Sequence, residues 1–286
     1  MLNWQDYYKR ADKASSYYAT RGPYLWPRLK RNHLNKSRRY AGLELEFTSL
    51  EIPRAEPLME AVEKWRHQLG SDGSVSGMAI ELRMSPTAGD VLAVMVREIT
   101  DCLKEARAQT DKSAGLHVHV DLRDFSRVQL RQLLLLYAKY EMEFITAMPA
   151  ARVMDGYYCR PSGRWLAAGL FPRKLYYNSM DVAIGEKSRG KYYAFNFGSY
   201  RQRQTVEIRM HPSVLTFDEI FPWVAGWAAF VDAAKKIPIT KIDSMTEDLD
   251  GLSDILPQVS VDYLAKMQKA NKWTDRQKLY AARGVE

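Results

Sequence analysis

Cysteine is scarce in this chain of 286 residues, which contains only Cys102 and Cys159. Two cysteines far apart in an unexported protein are more often free thiols than a disulfide. No basic segment followed by a short apolar run opens the sequence, and the longest apolar stretch, residues 220–231, is about half the length that crosses a bilayer. We therefore expect a cytoplasmic protein with no membrane partner.

Most of the chain also lacks an excess of charge, although its net charge is +8. Residues 1–40 contain ten Lys or Arg against two Asp, and the remainder contains 32 basic against 32 acidic side chains. The basic excess therefore forms an N-terminal arm, residues 1–39. Such an arm either docks on an acidic or nucleic-acid partner or is simply solvated, and the sequence leaves both alternatives open.

The glycine-rich loops that commonly hold nucleotide phosphates at a helix N-terminus are absent. The sequence has no GxxxxGK[S/T] motif and no GxGxxG motif. Any nucleotide must therefore be bound in another way.

Hydrophobic residues make up 46% of the sequence, which is enough for a large core. Apolar residues spaced by three and four predict helices at residues 54–69, 88–108, 126–148 and 216–236. Two of these helices begin with capping-box sequences, Ser126 to Gln129 and Thr216 to Glu219. Strict alternation predicts strands at residues 42–47, 77–85, 116–122, 192–197 and 205–211. The predicted fold class is α+β, a mostly antiparallel sheet with helices packed on its apolar face.

Residues 149–191 have no regular periodicity but interleave tyrosine and tryptophan with arginine and lysine. Compact domains rarely contain so long an irregular segment unless it serves a site. We interpret it as a lid or substrate loop, and the alternative is an inserted subdomain with a small core of its own.

The polar positions of the predicted strands carry residues that are typical of enzyme sites. Alternation places the following side chains on the face away from the core: Glu44 and Glu46; Glu81 and Arg83; His117, His119 and Asp121; Asn196; and Thr205, Glu207, Arg209 and His211. Neighbouring carboxylates repel each other, so a strand face that is merely wet would more naturally carry Thr, Lys or mixed charge. Carboxylates with imidazole suit divalent metal, and Arg201, Arg203 and Arg209 suit phosphate oxygens. The pattern predicts a metal and polyphosphate site, and hence an enzyme.

In this order the segments resemble the amidoligases of glutamine-synthetase-like fold, relatives of glutamine synthetase and glutamate–cysteine ligase. The motifs that carry the resemblance are residues 42–46 (GLELE), 72–74 (DGS), 81–86 (ELRMSP), 115–119 (GLHVH), Asn196 and residues 205–209 (TVEIR). Residues 211–215 (HPSVL) depart from the small Gly-Thr-like turn that the family would have there.

The resemblance implies a curved sheet whose concave face binds ATP with Mg²⁺ or Mn²⁺. The metal ligands that it implies are Glu44, Glu46, Glu81 and Glu207, with His117 or His119 completing the shell or touching a phosphate. The groups that it implies for the nucleotide and the transferring phosphoryl group are Asn196, Arg201, Arg203 and Arg209. Asp72, Ser74 and Arg83 would face a substrate. The implied reaction joins a carboxylate to an amine, each from a small molecule or a peptide, through an acyl phosphate.

Two other functions would use the same residues. A metal-dependent hydrolase or phosphoesterase also gathers carboxylates and histidines around its metal ions. A nucleic-acid-binding or structural protein on a ligase-like fold would account for the basic arm and for residues 149–191.

The expected organisation is a basic arm at residues 1–39, a catalytic domain at 40–236 and a helical C-terminal extension at 237–286. Relatives of this fold often build their sites at subunit borders, so a homo-oligomer is also among the expectations.

Overall fold

The computed structural model describes residues 39–71, 80–154, 159–161, 193–275 and 277–278. The basic arm before Arg39, the predicted substrate residues Asp72 and Ser74, and most of residues 149–191 lie outside the described residues. Within the described part, no helix is both long enough and apolar enough to cross a membrane. Cys102 and Cys159 are free thiols, as predicted.

The described strands form one antiparallel sheet that is not closed into a barrel. They are β1 (Ala41–Phe47), β2 (Gln68–Gly70), β3 (Ile80–Thr87), β4 (Gly115–Asp121), β5 (Phe195–Asn196) and β6 (Thr205–Pro212). Their order across the sheet is β2-β3-β1-β4-β6-β5, so β1 and β4 lie at its centre. The predicted α+β fold class is confirmed.

The helices are numbered in chain order. They are α1 (Glu56–Trp65), α2 (Asp90–Glu105), α3 (Arg127–Thr146), α4 (Ala150–Met154), α5 (Ser199–Arg203), α6 (Phe217–Lys236), α7 (Ile239–Ser244), α8 (Leu249–Ser253) and α9 (Gln258–Asn271). The capping box predicted at the start of α3 is present. Ser126 Oγ accepts a hydrogen bond from the Gln129 N–H, and the Ser126 N–H donates to Gln129 Oε1.

Two details of the helix prediction are wrong. The helix predicted at 54–69 ends early because Arg66 has a left-handed backbone (φ 56°), and Leu69 belongs to β2 instead. The capping box predicted at Thr216 does not form, since the Thr216 hydroxyl donates to the Glu219 carboxylate at 2.6 Å rather than accepting a backbone N–H. The helix nevertheless begins directly after Thr216.

The core lies on one face of the sheet, under α3 and α6. Leu43, Leu45 and Phe47 of β1 are buried there, as alternation predicted. Aromatic rings join the two helices, with Phe144 of α3 stacked on Trp227 of α6 at 4.2 Å between ring centroids. Because the helices cover this face, the alternating polar side chains of β1 and β4 lie on the other one.

A β-bulge changes the direction of His211, which we predicted to face away from the core. Val118 pairs with Ile208 but Leu116 pairs with His211, so β6 carries one extra residue between the two pairs. His211 is therefore fully buried on the core side, where its Nε2 lies 2.7 Å from the Tyr263 hydroxyl of α9. Its Nδ1 lies 2.6 Å from the Pro212 carbonyl. Nδ1 thus carries the proton, and Nε2 accepts from Tyr263.

Replacing Tyr263 by phenylalanine should lower the free energy of unfolding by about 1–3 kcal/mol, because His211 Nε2 would remain buried without a donor. Urea unfolding would measure the loss. Tyr40→Phe is the matched control, since Tyr40 is exposed and should change stability by less than about 0.5 kcal/mol. Equal stability of the two variants would contradict the role assigned to the His211–Tyr263 bond.

Two buried histidines should make the fold sensitive to acid. Burial lowers the pKa of His67 to about 3, against a smaller opposing effect of Glu98, and it lowers the pKa of His211 to about 4. The unfolded chain, with a histidine pKa of about 6.5, binds protons that the folded chain does not, so stability falls as the pH drops below about 6.5. When the pH falls from 6.5 to 4.5, each histidine should lower the free energy of unfolding by about 2 kcal/mol. Urea unfolding at both pH values checks this, and His67→Gln should remove about half of the difference. An unchanged difference in that variant would refute the assignment.

Candidate functional site

The register of the central strands brings the predicted site residues together on the face away from the core. Glu46 lies opposite Glu81 of β3, and Glu44 lies opposite His117 of β4. On the next pair of strands, His119 lies opposite Glu207 of β6. Residues that are directly opposite in a sheet point to the same side, so four strands build one contiguous patch.

Three of these side chains form the tightest group. His119 Nε2 lies 3.4 Å from Glu44 Oε1 and 3.9 Å from Glu207 Oε1. One ligand atom of each residue lies within 4.8 Å of the others. This spacing is compatible with one cation bound by two carboxylates and an imidazole.

The hydrogen bonds of His119 place its lone pair on the nitrogen that faces the two carboxylates. Its Nε2 lies 3.2 Å from Arg203 Nη1, which can only donate, and its Nδ1 lies 3.1 Å from the Thr205 hydroxyl. Nε2 therefore has the lone pair, and Nδ1–H donates to Thr205. A hydrogen bond of this kind on the far nitrogen is common behind metal-bound histidines.

His117 provides a second sign that a ligand is needed here. Its Nδ1 is buried and has no hydrogen-bond partner among the described residues. It lies 3.5 Å from Glu44 Oε2 and 3.8 Å from Glu207 Oε1. Buried polar atoms are rarely left without a partner, so the donor set and this nitrogen together fit a divalent cation.

The two carboxylates of this group are held ionised. Burial alone would raise the pKa of Glu44, but its polar contacts with His117 and His119 outweigh burial and hold that pKa far below its usual range. Burial likewise opposes the charge of Glu207, and the neighbouring guanidinium of Arg209 holds its pKa below the usual range. Ionised carboxylates are the form that binds metal.

Comparison with known families identifies the chain. Residues 67–231, more than half of the sequence, match the model of a family described as "putative amidoligase enzyme". The chain belongs to this amidoligase family. None of the curated proteins matches it. The match begins after β1, although β1 is a central strand of the amidoligase sheet and carries Glu44.

The other two carboxylates predicted as metal ligands lie on the same face of the amidoligase, outside the tightest group. Glu46 Oε2 accepts a 2.6 Å hydrogen bond from the Gly115 N–H. Glu81 forms an ion pair with Arg83, the predicted substrate residue. Both carboxylates are almost completely buried. They are therefore adjacent to the three-residue group, and each has a protein partner.

The predicted phosphate-binding residues border the group. Arg203 Nη1 donates to Glu44 Oε1 at 2.8 Å, and Arg209 forms an ion pair with Glu207. Asn196 of β5 lies opposite Glu207 and donates to its Oε2 at 2.7 Å. The side chain of Arg201 lies outside the described residues.

Sequence reasoning missed two features of this face, Arg152 and the Thr205–Ser199 pair behind His119. Ser199 Oγ lies 2.9 Å from Thr205 Oγ1, and the pair supports His119 Nδ1. Thr205 was predicted on this face without a role. Arg152 was recognised only as one of many basic residues in the segment 149–191, and no motif distinguished it.

Proposed function

We propose that this amidoligase is an ATP- and Mg²⁺-dependent ligase that joins a carboxylate to an amine through an acyl phosphate. The observation that carries the proposal is the group of Glu44, His119 and Glu207, whose ligand atoms lie within 4.8 Å of one another. Arginines border this group on the same face. Carboxylates beside arginines match a metal-bound polyphosphate better than a peptide or a sugar.

In this proposal Glu44, His119 and Glu207 hold Mg²⁺ or Mn²⁺, with His117 Nδ1 next to them. Bound metal would neutralise charge on the phosphate oxygens of ATP. Glu46 is fixed by the Gly115 N–H, so it supports the shape of the sheet face next to the group.

Arg203 and Arg209 act on the phosphoryl group that is transferred. Each is now paired with a carboxylate of the metal group, and a nucleotide would provide phosphate oxygens as new partners. Phosphoryl transfer depends on positioning and charge stabilisation more than on covalent chemistry by the protein. The substrate carboxylate would take the γ-phosphoryl group from ATP, releasing ADP, and the amine would then displace phosphate to form the amide.

The test is a product survey. Purified protein, isotope-labelled ATP and a metabolite extract are incubated, and untargeted mass spectrometry looks for new amides. Single acids and amines are then tested for ADP release. We expect ADP only when both partners are present. Cleavage of phosphate esters without ATP, or ATP consumption that depends on neither partner, would establish the metal-dependent hydrolase instead.

We also propose that the basic arm serves a partner rather than the reaction. The truncated protein must keep Arg39, because this residue is buried and paired with Asp124 and Asp232. Deletion of residues 1–38 should therefore leave ADP release within about twofold of the full chain. The control is Arg39→Met in the full chain, which should lower the melting temperature. Loss of turnover on deletion would show that the arm completes the site.

A further inference from the structure

Gly115, the first residue of β4, lies beneath three side chains of the site face. A Cβ at this position would come within 2.5 Å of Arg152 Nη2, 2.9 Å of His117 Nε2 and 3.4 Å of Glu46 Oε2. At the first two distances a Cβ could be accommodated only if the neighbouring side chain moved. Glycine therefore provides the room in which the Arg152 head group, from helix α4, lies over the start of the strand.

The hydrogen bonds of Arg152 leave one edge of its guanidinium free. Nη1 donates to the Ala114 carbonyl at 3.2 Å, and the Cys159 thiol donates to the Arg152 carbonyl at 2.6 Å. Nε is buried without a hydrogen-bond partner among the described residues, and Nη2 has none there either. Nε and Nη2 together form the side-on fork that matches the two oxygens of a carboxylate.

Arg152 also differs in charge balance from the other arginines of this face. Arg83 is paired with Glu81, Arg203 with Glu44 and Arg209 with Glu207. In the described part of the chain, Arg152 has no ion pair. A half-buried guanidinium without an ion pair is a favourable place for an oxyanion.

The position of His117 indicates which oxyanion fits. Its Nδ1 faces Glu44 and Glu207, whereas its Nε2 faces Glu46 at 3.9 Å and the space above Gly115. The phosphates would bind at the metal group. Arg152 lies on the opposite side of His117 from that group. The nearby Glu46 carboxylate also disfavours a dianion more than a monoanion.

We propose that Arg152 is a substrate-binding residue that holds a carboxylate of the acid substrate through Nε and Nη2. The proposal rests on the ligase function and names the residue that anchors its acid. Gly115 makes this contact possible by leaving space for the guanidinium.

The test is nuclear magnetic resonance of the arginine Nε–H groups in the full chain. Arg152→Lys identifies the Arg152 signal by its loss. Sodium acetate is the carboxylate probe, sodium chloride at equal ionic strength is the anion control, and the Nε–H of Arg107, which is paired with Glu51, is the internal reference. We expect a saturable downfield shift of the Arg152 signal with acetate, no shift with chloride, and no shift at Arg107. In Gly115→Ala the acetate affinity should fall by about tenfold or more, because the added Cβ would displace the Arg152 head group.

No response to acetate, or an equal response to chloride, would overturn the proposal. A shift produced by Mg²⁺ with a non-hydrolysable ATP analogue but not by acetate would also overturn it, because the bound group would then be the terminal phosphate. The measurement needs no turnover. If acetate shifts the signal while the product survey finds no amide, the carboxylate site stands and the ligase proposal fails.

Discussion

Replacing Glu44 by glutamine is expected to lower the affinity for Mg·ATP by about 100-fold or more, as loss of a charged ligand would. Glu44 Oε1 and Oε2 face both imidazoles of the site, and its pKa is held far below the usual range, so the carboxylate is ionised at neutral pH. Glutamine keeps the shape of the side chain but removes its charge, and its NH₂ group would be directed at a cation or a histidine. Calorimetry with ATP, in Mg²⁺ and in EDTA, separates the metal-dependent part of the affinity.

The matched control is Glu51→Gln. Glu51 is also paired with arginines, Arg54 and Arg107, but its side chain is 44% exposed and it lies outside the site. Its variant should bind Mg·ATP as the wild type does, and circular dichroism should show both variants folded. Wild-type affinity in Glu44→Gln would mean that Glu44 is not a metal ligand.

The direction of most strand side chains could be predicted from the sequence. Alternation alone is sufficient when a strand is regular, and it placed Leu43 and Leu45 in the core and Glu44 and Glu46 on the other face. His211 shows where the rule fails. The bulge that turns it into the core depends on how β6 aligns with β4, and that alignment is not encoded by the period of β6 itself.

The grouping of the site residues depends on register, which alternation does not specify. A period of two places Glu44, His119 and Glu207 on one face, but it does not say that these three come within ligand distance while Glu46 and Glu81 remain beside them. Arg152 is harder still to predict. Its place results from the packing of α4 and from the missing side chain of Gly115, two features far apart in the sequence.

The bulge also gives the C-terminal helix α9 a part in the site. Tyr263 holds His211, and His211 is two residues from Arg209 on the same strand. Residue 263 lies beyond the family match, which ends at residue 231. The extension therefore supports β6, the strand that carries Glu207 and Arg209.

Arg209→Lys is expected to lower turnover by about 10³-fold while changing the affinity for Mg·ATP by less than about tenfold. Arg209 lies on β6 next to the metal group and is paired with Glu207. Lysine keeps the positive charge but loses the planar fork that contacts two phosphoryl oxygens at once. The loss should therefore appear where charge moves in the transition state and much less in the ground-state complex. Single-turnover ADP formation, with the acid and amine found in the product survey, measures the first quantity, and calorimetry measures the second.

Arg123→Lys is the control because it alters a similar pair at a different place. Arg123 binds Asp121, also two residues away, through Nε at 2.8 Å, and it is more than half exposed. Its variant should retain wild-type turnover. If Arg209→Lys lost nucleotide affinity while ADP formation at saturating ATP stayed near the wild-type rate, Arg209 would be a binding group for ATP, since loss of uniform binding weakens affinity without slowing the bound complex. If it kept at least half of the wild-type turnover, the phosphoryl group would have to be stabilised from elsewhere on this face, and Arg203, 2.8 Å from Glu44, would be the next residue to replace.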